Sequence, residues 1–338
     1  MQTQAYMIDC ITSEKTARLK ELISRAERVT IAAHTHPDGD ALGSVTALAL
    51  YLKKICGKEV TCCLPDQIPA NLSFIMSPCV SYLIGESADA DLVVLLDCNS
   101  FTRTESLAGP LKASTAPKVL IDHHLNPDME SFDLVFSTPE ISSASELLFH
   151  VLKAIGWDAG DKEIGSALLA GMTTDTNNFA NSVYPSTFEM ASELIANGVD
   201  RDDILQKIYF SYRENRIRLF GYMQDSALTI LPEGAAYMIL TKEILDRFDV
   251  TEGDSEGLVN VPLAIGNVKI SLLLKEDGDH FRVSLRSKKG TSAQNCAVRF
   301  FNGGGHENAA GGKFFPARDL NGESLESYIK KALLEALK

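Results

Sequence analysis

Short apolar runs, each closed by a polar or acidic residue, alternate with helix-length segments along the first 140 residues of the chain. Arg28–Ala33, Val60–Leu64, Ala90–Asp97 and Lys118–Ile121 read as strands. The run Leu92–Leu96 is unbroken, as expected for a strand covered on both faces. Ser13 opens a helix in which Leu19, Leu22, Ile23 and Ala26 recur at helical spacing, and Ala41–Leu48 forms a second, mostly apolar helix. Strands separated by such segments imply βαβ units and a largely parallel sheet.

Past residue 140 the pattern turns helical. Ser143-x-x-Glu146 and Ser186-x-x-Glu189 have capping-box spacing. The first opens a helix through Ile155, and the second opens one that stops at Asn197-Gly198. A helix beginning near Asp161 runs past Met172, and Asp200 caps a long helix extending to about Ser226 that bridges two domains. Strands at Ala236–Thr241, Val268–Lys275 and His280–Arg286 follow the turn Leu231–Gly234. The expected architecture is α/β. It comprises an N-terminal parallel-sheet domain over 1–197, a linking helix over 198–230 and a smaller mixed α/β domain over 231–338, with the active site in the cleft between.

Composition narrows the class. With 338 residues, 45% hydrophobic and 23% charged, the chain suits a soluble two-domain protein. No apolar run has the ~18 residues of a membrane helix and the first residues lack an export signal, so a cytoplasmic protein without membrane contact is expected. Seven cysteines without Cys-x-x-Cys spacing point to reduced thiols and away from a disulfide framework or zinc knuckle. A net charge of -13 argues against coating duplex DNA.

The ends of the expected strands collect acids and imidazoles. His34, Asp38 and Asp40 follow the first, Asp97 the third, and Asp122, His123 and His124 the fourth, with Asp175 beyond a helix. Carboxylates gathered at one sheet edge repel unless something holds their charge. Imidazole and carboxylate ligands without thiolates suit manganese, iron, cobalt or zinc better than calcium. Two metals sharing a carboxylate would use this many ligands and suit phosphoryl transfer.

The segments His34-Thr-His-Pro-Asp-Gly-Asp-Ala-Leu-Gly-Ser44, Asp97, Asp122-His123-His124 and Thr174-Asp175-Thr176 resemble the successive motifs of the DHH phosphoesterase superfamily. Asn302-Gly-Gly-Gly-His-Glu-Asn-Ala-Ala-Gly-Gly312 resembles the glycine-rich signature of the associated DHHA1 domain. Length and domain pairing are similar to the bifunctional oligoribonuclease and PAP phosphatase branch. The resemblance implies one divalent metal held by His34, Asp38 and Asp97, and a second by Asp40, Asp97, His123 and Asp175, with manganese the expected ion. It implies a phosphoryl contact for His124, an orienting role for Asp122 toward one of the histidines, and a substrate grip by Arg286, Ser287, Gly303, Gly304, Gly305 and His306.

An independent feature favours the same segment. Phe281 to Arg318 holds seven basic residues (Arg282, Arg286, Lys288, Lys289, Arg299, Lys313, Arg318) and one acid, Glu307. That net +6 island in an acidic chain is a candidate anion site. One departure from the branch is Ala180, where an arginine is common; Arg213, Arg216 and Arg218 are candidates to compensate.

The expected activity is hydrolysis of short oligoribonucleotides to mononucleotides and of 3′-phosphoadenosine 5′-phosphate to AMP, by metal-activated hydroxide attack on phosphorus. Cyclic or linear dinucleotide hydrolysis, inorganic polyphosphate or pyrophosphate hydrolysis, and a non-enzymatic nucleotide sensor are the alternatives. Homodimer formation is an expectation of the resemblance alone.

Overall fold

The computed structural model describes residues 8–251 and 253–338. The chain divides into two compact units, the first ending at Ser211 and the second beginning at Tyr212.

In the first unit the strands β1 (Arg28–Ala32), β2 (Glu59–Leu64), β3 (Ser81–Ile84), β4 (Leu92–Leu96), β5 (Lys118–Asp122) and β6 (Leu134–Ser137) form one sheet in the order β3-β2-β1-β4-β5-β6. Every pairing is parallel. Alternation sorts the side chains to two covered faces. Ile31, Val94, Leu96 and Ile121 join a core with α1 (Ser13–Arg25), α2 (Gly39–Leu50), α4 (Ala144–Ala154) and α5 (Lys162–Asp175). Ala32, Val93, Leu95 and Leu120 face the opposite core with Phe101, Leu107 and Leu111, the last on α3 (Ala108–Ala113). β4 is buried along its whole length, as its unbroken apolar run requires. The chain winds outward from β1 to β3, then returns to β4 and winds the other way. The carboxyl ends of β1 and β4 therefore flank the crevice where open sheets of this kind bind ligands.

Several helix starts differ from expectation. Thr12, not Ser13, caps α1, accepting from Lys15 N at 3.2 Å. α6 (Pro185–Ala196) begins at proline, and the Thr187 hydroxyl accepts from Tyr184 N at 3.0 Å; Ser186 and Glu189 form no box. Proline at the first helical position supplies the helical φ without a lost hydrogen bond. The long helix expected from Asp200 to Ser226 is two helices, α7 (Arg201–Tyr209) and α8 (Glu214–Asp225). Local side-chain contacts account for the break. The Arg216 guanidinium lies 4.1 Å from the Tyr212 ring and 4.7 Å from that of Phe220 while donating to the carbonyls of Gly253 and Glu256. Arg213 pairs with Asp249 and Asp254, and Arg218 with Glu214. Both Arg213 and Arg216 are thus engaged in holding their own unit together.

The second unit holds a mixed sheet in the order β11-β12-β10-β9-β8-β7. Its strands are β7 (Leu228–Leu231), β8 (Ala235–Leu240), β9 (Ile270–Asp277), β10 (His280–Ser287), β11 (Gly304–His306) and β12 (Ala309–Phe314). Only β8 and β9 pair in parallel. Between them lie α9 (Lys242–Arg247) and, after β10, α10 (Ala293–Phe300), with α11 (Pro316–Asp319) and α12 (Leu325–Ala336) closing the unit. Val283 and Leu285 pack with Cys296, Phe301, Ile329 and Leu333 on one face. Met238, Leu240 and Leu273 pack under Leu219 and Met223 of α8 on the other.

Candidate metal centre

Four carboxyl-terminal segments deliver the expected ligands. The loop after β1 carries His34 and Asp38, and Asp38 caps α2, its Oδ1 accepting from Asp40 N at 3.0 Å and Ala41 N at 3.1 Å. Capping turns the chain so that Asp38 and Asp40 leave it at adjacent points. Asp97 follows β4 with φ +51, a left-handed conformation that aspartate tolerates better than most residues. Such strain collects at functional sites because the surrounding fold must hold it. His123 and His124 follow β5, and Asp175 ends α5.

These side chains meet in two groups. His34, Asp38 and Asp97 each place a ligand atom within 4.8 Å of the others, and so do Asp40, His123 and Asp175. Asp97 joins the groups: its Oδ2 lies 3.3 Å from His34 Nε2, and its Oδ1 3.4 Å from His123 Nε2. His123 Nε2 is also 3.9 Å from Asp40 Oδ2 and 3.7 Å from Asp175 Oδ2. His34 Nδ1 sits 2.7 Å from Thr35 O, which fixes the proton there and leaves Nε2 to face the acids. Asp122, fully buried, holds His124 twice, by Oδ1 to Nδ1 at 2.8 Å and by Oδ2 to the backbone N at 3.1 Å. The histidine that Asp122 orients is therefore its neighbour but one.

The electrostatics are those of a site built for cations. Burial resists charge on His34, but the bond to Asp97 and the charges of Asp38 and Asp97 prevail and push it up to about 9. Burial likewise opposes charge on His123, yet Asp97, Asp175 and Asp40 push it up to about 10. Loss of water raises Asp40 well above the carboxylate range, with Asp97 and Asp175 adding to it. Asp175 rises to about 6, first through burial, against the pull of His123. Asp97 resists burial and falls well below the ordinary range because the two histidines flank it.

A divalent ion fits this donor set. Asp97 Oδ1 is buried and accepts no hydrogen bond, although buried carboxylate oxygens rarely stay unsatisfied. It faces His123 while Oδ2 faces His34, so one carboxylate offers an oxygen to each group. No thiolate takes part, since Cys98 turns into the apolar core, its sulfur 3.1 Å from Ser100 O.

Residues beyond the motifs complete the frame. Asp66, which in sequence is merely the end of a turn, accepts from His36 N at 2.7 Å and from the Thr35 hydroxyl, tying down the loop that carries His34 and Asp38. His36, with φ +52 and Nδ1 3.7 Å from Asp66, shapes that loop. Asp40 is buried against the start of α4, Oδ2 accepting from Ala144 N at 2.6 Å and Oδ1 from Ser145 N at 2.9 Å. Gly171 permits this approach: a Cβ there would collide with Ser145 Oγ and stand 3.1 Å from Asp40 Oδ1. Backbone donors leave no sequence signature, which is why this half of the site is invisible in the motifs.

In the second unit, strand register puts Arg286 opposite Ala309 on one side and His306 opposite Ala309 on the other. Arg286 and His306 therefore share one row and one face of the sheet. Packing demands two of the three glycines. A Cβ on Gly303 would strike Gly311 O, and Gly305, at φ +142, would meet Ala309 O at 2.6 Å, while Gly304 has open space. The Ser287 hydroxyl donates to Thr291 O at 2.6 Å and accepts from Asn308 Nδ2 at 3.0 Å, fixing the turn after Arg286. The basic island is weaker than its sequence count. Arg318 pairs with Asp319 at 2.7 Å, Arg299 lies 3.8 Å from Glu335, and Lys288 Nζ donates to Ile265 O at 2.9 Å.

Comparison with known proteins gives the family. A solved structure, an exopolyphosphatase-related protein from Bacteroides fragilis, is 34% identical with a TM-score of 0.87, covering 98% of this chain and 97% of that one. Among curated relatives, the bifunctional oligoribonuclease and PAP phosphatase NrnA of Bacillus subtilis is 27% identical over 87% of this chain and 91% of its own. The protein of that name from Thermus thermophilus is 28% identical over 88% of each chain. The model of the DHH family N-terminal domain matches residues 28–172, and that of the DHHA1 domain matches residues 235–331. The chain belongs to the DHH family, as a member that pairs the DHH domain with a DHHA1 domain.

Proposed function

We propose that this chain is a metal-dependent phosphoesterase that hydrolyses short oligoribonucleotides to mononucleotides and 3′-phosphoadenosine 5′-phosphate to AMP. The observation that carries the reading is Asp97: a buried carboxylate on a left-handed backbone, one oxygen unsatisfied, between two histidine–carboxylate groups at the switch point of a parallel sheet. The names of the Bacillus and Thermus relatives supply the substrate classes.

His34, Asp38 and Asp97 would hold one ion, and Asp40, Asp97, His123 and Asp175 the other, with manganese suited to a set of oxygens and imidazoles. When bound, such ions polarise a phosphoryl oxygen and make water a nucleophile near neutral pH. The protein's own part is orientation. Asp122 aims the His124 ring to donate to a phosphoryl oxygen as charge grows there. Arg286 and His306, in one row, grip the substrate phosphate, with the backbone of Gly303 to Gly305 beside them. We place the enzyme in the cytoplasm on the strength of seven free thiols, with short RNAs and phosphorylated nucleotides as its partners. Duplex DNA is not among the substrates we assign, and a homodimer is the expected assembly.

A polyphosphatase reading is favoured by the similarity to the exopolyphosphatase-related protein of Bacteroides fragilis. Product analysis with manganese separates the two, using a 5′-labelled RNA trinucleotide, adenosine 3′,5′-bisphosphate, cyclic di-AMP and tripolyphosphate. Loss of the first two supports our proposal. Cleavage of tripolyphosphate alone replaces it with the polyphosphatase, and cleavage of the cyclic dinucleotide alone with a dinucleotide phosphodiesterase.

A further inference from the structure

Glu146 lies in the first turn of α4 with no exposed surface, outside every group of metal-ligating side chains in the first unit. Ser143 Oγ accepts from Glu146 N at 3.0 Å, the forward half of a capping box. The return half goes elsewhere. Glu146 Oε2 accepts from Ser142 N at 3.2 Å, from the Ser142 hydroxyl and from Thr187 Oγ1 of α6 at 2.7 Å. One carboxyl oxygen thus ties together the segment entering α4, its first turn and the start of α6. The two residues between the cap and Glu146 are Ala144 and Ser145, whose N–H groups hold both oxygens of Asp40. The other oxygen, Oε1, accepts no hydrogen bond and lies 3.8 Å from His150 Nε2, which also has none. A group tied only for helix stability would not need burial and three donors on one atom, since a capping bond forms equally well at a surface.

We propose that Glu146 is a positioning residue for the second metal: it fixes the start of α4 so that Ala144 N and Ser145 N present Asp40 to the ion shared with His123 and Asp175. The inference rests on the two-metal reading above. It makes the two ion sites unequal in their dependence on Glu146. The His34–Asp38–Asp97 site draws its side chains from the loops after β1 and β4, whereas the acid bonded to the start of α4 is Asp40.

Manganese titration of the full chain, followed by calorimetry and by the electron-spin signal of bound ion, tests this without an activity readout. Glu146→Ala is expected to weaken one of two binding steps by about 10-fold or more, the scale typical of losing a group that orients a ligand. The other step should be unchanged. Glu146→Gln, which keeps an acceptor for Ser142 and Thr187, should restore most of the loss. Ser142→Ala removes one donor with little change of volume and should weaken the same step by a smaller factor. It carries the test alone should Glu146→Ala fail to fold. Equal weakening of both steps, wild-type affinities in Glu146→Ala, or an unaltered Ser142→Ala would overturn the proposal. A wild-type chain that binds no ion overturns the two-metal reading itself, and that result is distinct from a chain binding two ions with indifference to residue 146.

Discussion

The two units solve the same problem, presenting charged groups on a sheet, in opposite ways. In the first, His34, Asp40, Asp97, Asp122 and His123 are all buried at the carboxyl ends of parallel strands, each held by a specific neighbour. In the second, Arg286 and His306 are half-buried along a row that runs from β10 to the edge strand β11, placed by strand register. Buried charge is tolerated only with compensation, so the first arrangement is exacting and depends on a cation. A half-exposed row is forgiving, because water and salt screen it. The lesson is that a fixed cluster of buried charge needs the former, whereas a partly exposed row of charge needs only the latter.

Substitution at the centre of the first unit should have the greatest effect. Asp97→Ala removes the carboxylate common to both ligand groups and should lower kcat/KM by on the order of 10³ or more. Retained activity within about 10-fold would end the claim that the two groups act as one site. Next comes proton linkage. Because the carboxylates raise His34 to about 9 and His123 to about 10, both imidazoles carry protons at pH 7 in the ion-free chain. Metal binding must expel one such proton at each site, so the affinity of each step should rise with pH, by up to about 10-fold per unit, and level off above the raised values. Calorimetry in buffers of differing ionisation enthalpy counts the protons; none released would contradict the electrostatic account. The smallest effect belongs to the second unit. Arg286→Gln should raise KM about 10-fold for a phosphorylated substrate while leaving kcat within a few-fold, as expected for losing one charge-assisted contact. A fall in kcat with KM unchanged would move Arg286 from grip to chemistry.

Much of this was legible in the sequence, for physical reasons that differ from element to element. β1, β2, β4 and β5 are central strands whose apolar runs stand out, and the acids closing them sit where the chain leaves the sheet. β3 and β6 lie at the edges, only four residues each, and their weak patterns went unread. β12 opens with Ala-Ala-Gly-Gly, which no propensity favours; that stretch is a strand because β10 and β11 pair with it on both sides. The break between α7 and α8 comes from Arg213 and Arg216, whose partners lie about 40 residues later and cannot be inferred from helical periodicity. At the site, every candidate ligand was visible as a side chain. What was missing was the mounting: Asp66, the amides of Ala144 and Ser145, and Glu146 beneath them.

The metal groups draw on segments scattered from His34 to Asp175, the last of them at the end of α5. During synthesis on the ribosome, the chain therefore lacks a complete centre until α5 has emerged and docked on α2. Whatever hydrolysis the centre performs is thereby withheld from every unfinished copy, with no inhibitor required, while the message that encodes it is still being read.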